Sequence, residues 1–79
     1  MKYGIQIRIM DLVFLEDKGW VIVDYKTDRI EDQAHLEQLI QYYRPQVELY
    51  KSSFEAATGL AVAEAALYFI DQQHYEPLK

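Results

Sequence analysis

The chain contains no cysteine, which excludes a disulfide, a thiolate nucleophile, a zinc knuckle and an iron–sulfur cluster. Any metal must then sit on oxygen or imidazole ligands. The composition permits a reducing compartment, and a cytoplasmic protein is expected. No apolar run reaches the roughly 20 residues that span a bilayer, and the N-terminus lacks the basic-then-apolar pattern of a signal peptide, so no membrane partner is expected. Basic residues are also few, 8 Lys and Arg against 13 Asp and Glu, for a formal charge of −5. That balance argues against a sequence-independent grip on nucleic-acid phosphates, which is built from clustered cations. A cation site must itself be acidic, however, and a basic track can be supplied elsewhere in a larger protein. Internal repeats, low-complexity stretches and linkers are absent too.

What is present is ordinary globular material, 51% hydrophobic and 27% charged. A chain of 79 residues makes one domain and buries a smaller share of its surface than a larger one, so its stability is expected to be marginal unless it docks on something.

Residues 3–15 alternate apolar and polar, with Ile5, Ile7, Ile9, Val13 and Leu15 on one side, and predict one long strand. Asp11 is the lone charge on that apolar side. Glu16-Asp17-Lys18-Gly19 is a turn signal, and residues 20–26 predict a second strand, closing a hairpin. Asp28 and Asp32 are candidate caps for a short amphipathic helix carrying Leu36, Leu39, Ile40 and Tyr43. Pro45 suits the first turn of a second helix, with Val47, Tyr50, Phe54 and Ala57 on its apolar side and Thr58-Gly59 at its end. The run from Leu60 to Ile70 predicts a strand buried on both faces, and the tail from Asp71, with Pro77, is expected to be loose. The expected fold is α/β, in the order β-β-α-α-β, a small mixed sheet with helices packed on it.

The hairpin register brings charges together. A two-residue loop pairs Glu16 with Gly19, a four-residue loop pairs Leu15 with Trp20, and both place Asp11 across from Asp24, with Val13 opposite Ile22 and Ile9 opposite Lys26. Asp24 and Lys26 project to the same side as Ile22. Two acids facing each other across a strand pair, roughly 5 Å apart at Cβ, repel unless something cationic sits between them. A hard divalent cation on oxygen ligands, such as Mg2+ or Mn2+, accounts for this arrangement. Lys26 alone is the competing neutraliser, and a salt-bridged polar patch is the plain structural alternative.

The stretches Ile9-Met10-Asp11-Leu12-Val13-Phe14, Gly19-Trp20-Val21-Ile22-Val23-Asp24-Tyr25-Lys26-Thr27-Asp28 and Tyr43-Arg44-Pro45-Gln46-Val47-Glu48-Leu49-Tyr50 resemble the RecB-like nucleases of the PD-(D/E)XK, restriction-endonuclease-like superfamily. Within it the wording is especially similar to the C-terminal nuclease segment of AddA-type helicase-nucleases. The likeness covers roughly residues 5–70. It implies a partial restriction-endonuclease-like core, with residues 1–79 a single, truncated nuclease domain that lacks the family's upstream helix and the acid or histidine it carries. It implies Asp11 and Asp24 as metal ligands, the Tyr25 backbone carbonyl as a third, and Lys26 as the group that orients or deprotonates water or stabilises developing charge. Gln46 and Tyr50 match the family's Gln-x-x-x-Tyr motif, which approaches the site and the DNA backbone. They lie at i and i+4 on one helix face, where a tyrosine is also an ordinary core residue. Arg8 departs from the family's glycine three residues before the first aspartate.

The implied function is Mg2+- or Mn2+-dependent DNA phosphodiester hydrolysis in double-strand break repair and recombination. The implied partners are DNA, a helicase portion and a nuclease partner subunit. Alternatives are a non-catalytic fragment that forms a homo-oligomer through a bare sheet edge or helix face, and a nuclease that works without a helicase. Arg44, with Arg29 and Lys51, is a candidate phosphate contact, though scattered cations on an acidic protein usually form a solvated face. His35 and His74 have no second ligand at i+3 or i+4 and are expected at the surface. Trp20 is expected to pack the hairpin rather than stack on bases.

Overall fold

A computed structural model describes the backbone of residues 4–8 and 11–78, and the side chains of residues 12–78. Its elements run β1 (Gly4–Arg8), β2 (Asp11–Glu16), β3 (Gly19–Lys26), α1 (Gln33–Thr58), β4 (Val62–Phe69) and β5 (His74–Leu78). The strands form one sheet in the order β1-β2-β3-β4-β5. Only β3 and β4 run parallel, because only they are joined by a helical crossover; the other neighbours are antiparallel. The α/β mixed sheet expected from the sequence is therefore the fold, with differences in its parts.

The β2–β3 hairpin follows the two-residue loop. Glu16 pairs with Gly19, Leu15 with Trp20, Val13 with Ile22 and Asp11 with Asp24. The expected Ile9–Lys26 pair lies outside the described residues. Gly19 adopts φ 125°, and a Cβ there would come within 3.1 Å of the Ala63 Cβ, so both backbone conformation and neighbour favour glycine.

One face of this sheet carries the core. Val13, Ile22, Ala65, Leu67 and Phe69 are buried there against Leu36, Leu39 and Val47 of α1, with Trp20, Tyr43 and Phe54 packed around them. Trp20 meets Phe54 at 5.8 Å between ring centroids, as befits a hairpin packing residue. The opposite face holds an apolar depression of about 380 Å³ lined by Phe14, Val23, Tyr25, Tyr68, Ile70 and Tyr75.

Three expectations about the elements need correction. The single strand over residues 3–15 is two strands, since Ile5 pairs antiparallel with Val13 and Arg8 with Asp11. Odd residues pair with odd ones at Ile5 and Val13, so the alternation runs through the reversal without a break.

The two helices are one, with Pro45 inside it. A proline there removes the hydrogen bond to the carbonyl of Gln41, but Gln41 and Pro45 are both exposed, so water can satisfy that carbonyl. Burial of Leu36, Leu39 and Val47 contributes about 1.5–3 kcal/mol each, which outweighs the roughly 3 kcal/mol penalty of an interior proline. Asp32 caps the start, its side chain accepting from the His35 N–H at 2.8 Å, and Gly59 at φ 73° caps the end. Asp28 is not a cap.

The tail is not loose. β5 pairs with β4 at the sheet edge, where Pro77 is tolerated, and Leu78 reaches the core. Among the described residues no helix is long and apolar enough to cross a membrane.

Candidate active site

The site grows from the C-terminal end of β3. Strand alternation that sends Ile22 into the core sends Asp24 to the same side, and the parallel partner of Asp24 on β4 is Leu67. Asp24 is consequently 0% exposed, the buried charged residue of an otherwise apolar interior. Burying a carboxylate without a partner is strongly unfavourable. Its neighbour is Lys26, whose Nζ lies 3.2 Å from Asp24 Oδ2 and whose side chain is itself 12% exposed. The Asp11 Cα stands opposite the Asp24 Cα across the β2–β3 ladder, and the side chain of Asp11 lies outside the described residues.

From the helix side, Gln46 approaches. Lys26 Nζ donates to Gln46 Oε1 at 2.9 Å, linking the strand end to the middle of α1. Pro45 does not interrupt the helix, and Tyr43, Gln46, Val47 and Tyr50 therefore fall on one side of it, at offsets of three, four and seven. Tyr50 is half-buried with its hydroxyl inside the protein. Arg44 is placed elsewhere, lining a cavity of about 130 Å³ with Val47, Glu48, Lys51 and Glu64. Its guanidinium is 4.0 Å from Glu48. The ring of Tyr25 faces the opposite side of the sheet and packs edge-on against Tyr68 at 5.7 Å. Neither histidine joins this site. His35 Nδ1 accepts from the Glu31 N–H at 3.1 Å, and His74 Nε2 lies 2.8 Å from Glu76.

Two residues at this site are not singled out by the sequence. The Lys26 Nζ lies 4.0 Å from the centroid of the Tyr43 ring, a cation–π contact. The Tyr43 hydroxyl donates to Asp28 Oδ1 at 2.8 Å. Burial, then the hydrogen bond to Asp28, pushes the Tyr43 hydroxyl pKa up to about 12. The helical period reads Tyr43 as a core residue, and its spacing of three from Gln46 is the signal that ties it to the site.

A buried acid, an adjacent amine, an amide and a second acid at the facing ladder position make a hard, oxygen-rich site. Such a set suits phosphoryl chemistry. Residues 5–78 match the family profile described as the PD-(D/E)XK nuclease superfamily, and the chain belongs to that superfamily. It is similar to the AddA-type chains of bacterial ATP-dependent helicase/nucleases. The one from Oceanobacillus iheyensis is 38% identical over 68 residues, 82% of this chain and 6% of that protein. The one from Carboxydothermus hydrogenoformans is 41% identical over 63 residues, 80% of this chain and 5% of its own length. For Clostridioides difficile the figures are 40% over 60 residues, 76% and 5%. The chain thus spans only about one-twentieth of the length of these relatives.

Proposed function

We propose that this chain is the catalytic end of a divalent-metal-dependent DNA nuclease, working in nature as the nuclease part of a helicase-nuclease in double-strand break repair and recombination. The observation that carries the reading is the pairing of Asp11 with a fully buried Asp24, with the Lys26 amine 3.2 Å from the latter. Ladder partners in an antiparallel pair share a face, so two acids meet where the core would otherwise be apolar.

Asp11, Asp24 and the Tyr25 carbonyl would hold Mg2+ or Mn2+, since hard cations of this kind take carboxylate and carbonyl oxygens and leave other positions to water and phosphate. A bound ion of that class supplies Lewis acidity and a more acidic water at neutral pH. Lys26 adds a fixed positive charge where negative charge develops on the phosphate, and its amine is held in place for that by Asp24 and Gln46. Gln46 is a positioning residue in this scheme, and Tyr50 lies one turn further along the same side of α1. Arg44 stands apart from the Lys26 cluster and is assigned a backbone contact to DNA. DNA, the helicase portion and a partner nuclease chain follow from the names of the relatives and belong to the proposal.

The test is cleavage of linear single-stranded DNA in Mg2+ or Mn2+ by an AddA-type helicase/nuclease polypeptide carrying this chain at its matching segment. Loss of cleavage in the Lys26→Ala version supports the reading. Equal cleavage in both ends it.

A further inference from the structure

The ammonium of Lys26 is surrounded by more than the acid and the amide. The flat face of Tyr43 lies 4.0 Å away, and its hydroxyl is tied to Asp28 at 2.8 Å. Asp28 sits two residues beyond the end of β3, in a connection that is itself fastened down. Gln72 takes both backbone groups of Ile30, accepting from its N–H at 2.7 Å and donating to its carbonyl at 2.8 Å. Arg29 pairs with Asp71 at 2.8 Å alongside. The turn after β4 therefore fixes the segment that holds Asp28, Asp28 fixes the Tyr43 hydroxyl, and the ring then bounds the space open to the lysine.

We propose that Tyr43 is a positioning residue for Lys26: its ring face confines the ammonium between Asp24 and Gln46, and Asp28 keeps the ring in place. As a statement about catalysis this rests on the nuclease reading above. A lysine has a long flexible stem, and its usefulness at a reaction centre depends on where its charge is held, not only on its presence. Asp24 and Gln46 attract the ammonium from two sides; the aromatic face attracts it from a third while offering no acceptor that would draw it off line. The raised pKa of the Tyr43 hydroxyl agrees with a phenol kept protonated as the donor to Asp28.

The proposal is tested on the full 79-residue chain by the proton shifts of the Lys26 ε-methylene, which the ring current of a face-on aromatic moves upfield. The wild-type shift should lie upfield, stay so in Tyr43→Phe, which keeps the ring, and relax to the free-lysine position in Tyr43→Leu. Unchanged methyl shifts of Val13, Ile22 and Leu67 would show that the core of Tyr43→Leu is intact. In the AddA-type polypeptide, Tyr43→Leu should lower kcat about tenfold with KM unchanged, and Tyr43→Phe should restore most of it. A Lys26 signal at the free-lysine position in the wild type, or one indifferent to Tyr43→Leu, overturns the placement. A rate indifferent to Tyr43→Leu overturns the catalytic role. If the ring current behaves as expected and no polypeptide cleaves DNA, the placement stands and the nuclease reading falls.

Discussion

Replacing Lys26 by methionine separates the two cations that this site can call upon. The substitution keeps most of the side-chain volume and removes only the charge. Asp24 is 0% exposed and stands 3.2 Å from the amine, and at an effective dielectric near 20 that separation corresponds to a gross attraction of about 5 kcal/mol. Breaking one half of a buried pair typically costs about 3–5 kcal/mol, because the other charge is left behind. The lower end applies here, since Lys26 keeps 12% of its surface exposed. A domain of this size has only about 4–12 kcal/mol in total, so a loss of about 3 kcal/mol should lower Tm by more than about 10 °C in EDTA. Divalent metal should recover part of it, by about 2.7 kcal/mol at a hundredfold excess over Kd, as the ion takes over the neutralisation of Asp11 and Asp24. Thermal and urea unfolding followed by circular dichroism, in EDTA and in millimolar Mg2+, measures both quantities. A loss below about 1 kcal/mol, or no recovery with Mg2+ or Mn2+, would rule out a charge balance shared between lysine and metal.

Other outcomes follow from the same geometry. Gly19→Ala should destabilise by about 1–2 kcal/mol in urea unfolding, because φ 125° is strained for a side-chain-bearing residue and the new methyl meets Ala63 at 3.1 Å. Gln72→Ala removes both bonds to the Ile30 backbone and should speed amide exchange at Ile30, with a loss of about 1–2 kcal/mol. The Tyr43 hydroxyl is raised above its ordinary value of 10.0, so its contribution to stability is fully present below pH 10.0 and is lost as pH rises through about 12. Phenolate absorbance should show one tyrosine titrating late, and Tyr43→Phe should abolish that late step.

The heart of the site is legible in the sequence because strand parity decides it. Either even-numbered hairpin loop sets Asp11 against Asp24, so the turn type need not be known, and Lys26 follows two residues on. Gln46 and Tyr50 are legible only through family likeness, since on periodicity alone a polar residue and a tyrosine on an amphipathic helix are ordinary. What escapes is of a different kind. Pro45 is a local breaker whose penalty is overruled by burial of residues on both sides of it, and burial is a tertiary quantity. The reversal between β1 and β2 carries no glycine or proline signal at Arg8 or Asp11 and leaves the alternation unbroken. β5 is a short polar strand with Pro77 in it, and only its place at the sheet edge makes it a strand. Tyr43 and Asp28 are 15 residues apart, and nothing in local spacing says that they meet.

Whether Asp11 and Asp24 share a divalent cation decides the rest. Paramagnetic broadening of backbone amide signals by substoichiometric Mn2+, with Mg2+ as the competing diamagnetic ion, reads this out residue by residue. Asp11, Asp24 and Tyr25 should broaden first, Mg2+ should reverse the effect, and Asp24→Asn should abolish it. Broadening that spares all three residues, or that centres on other acids such as Glu64 or Asp71, would place the ion elsewhere and remove the basis of the proposed site.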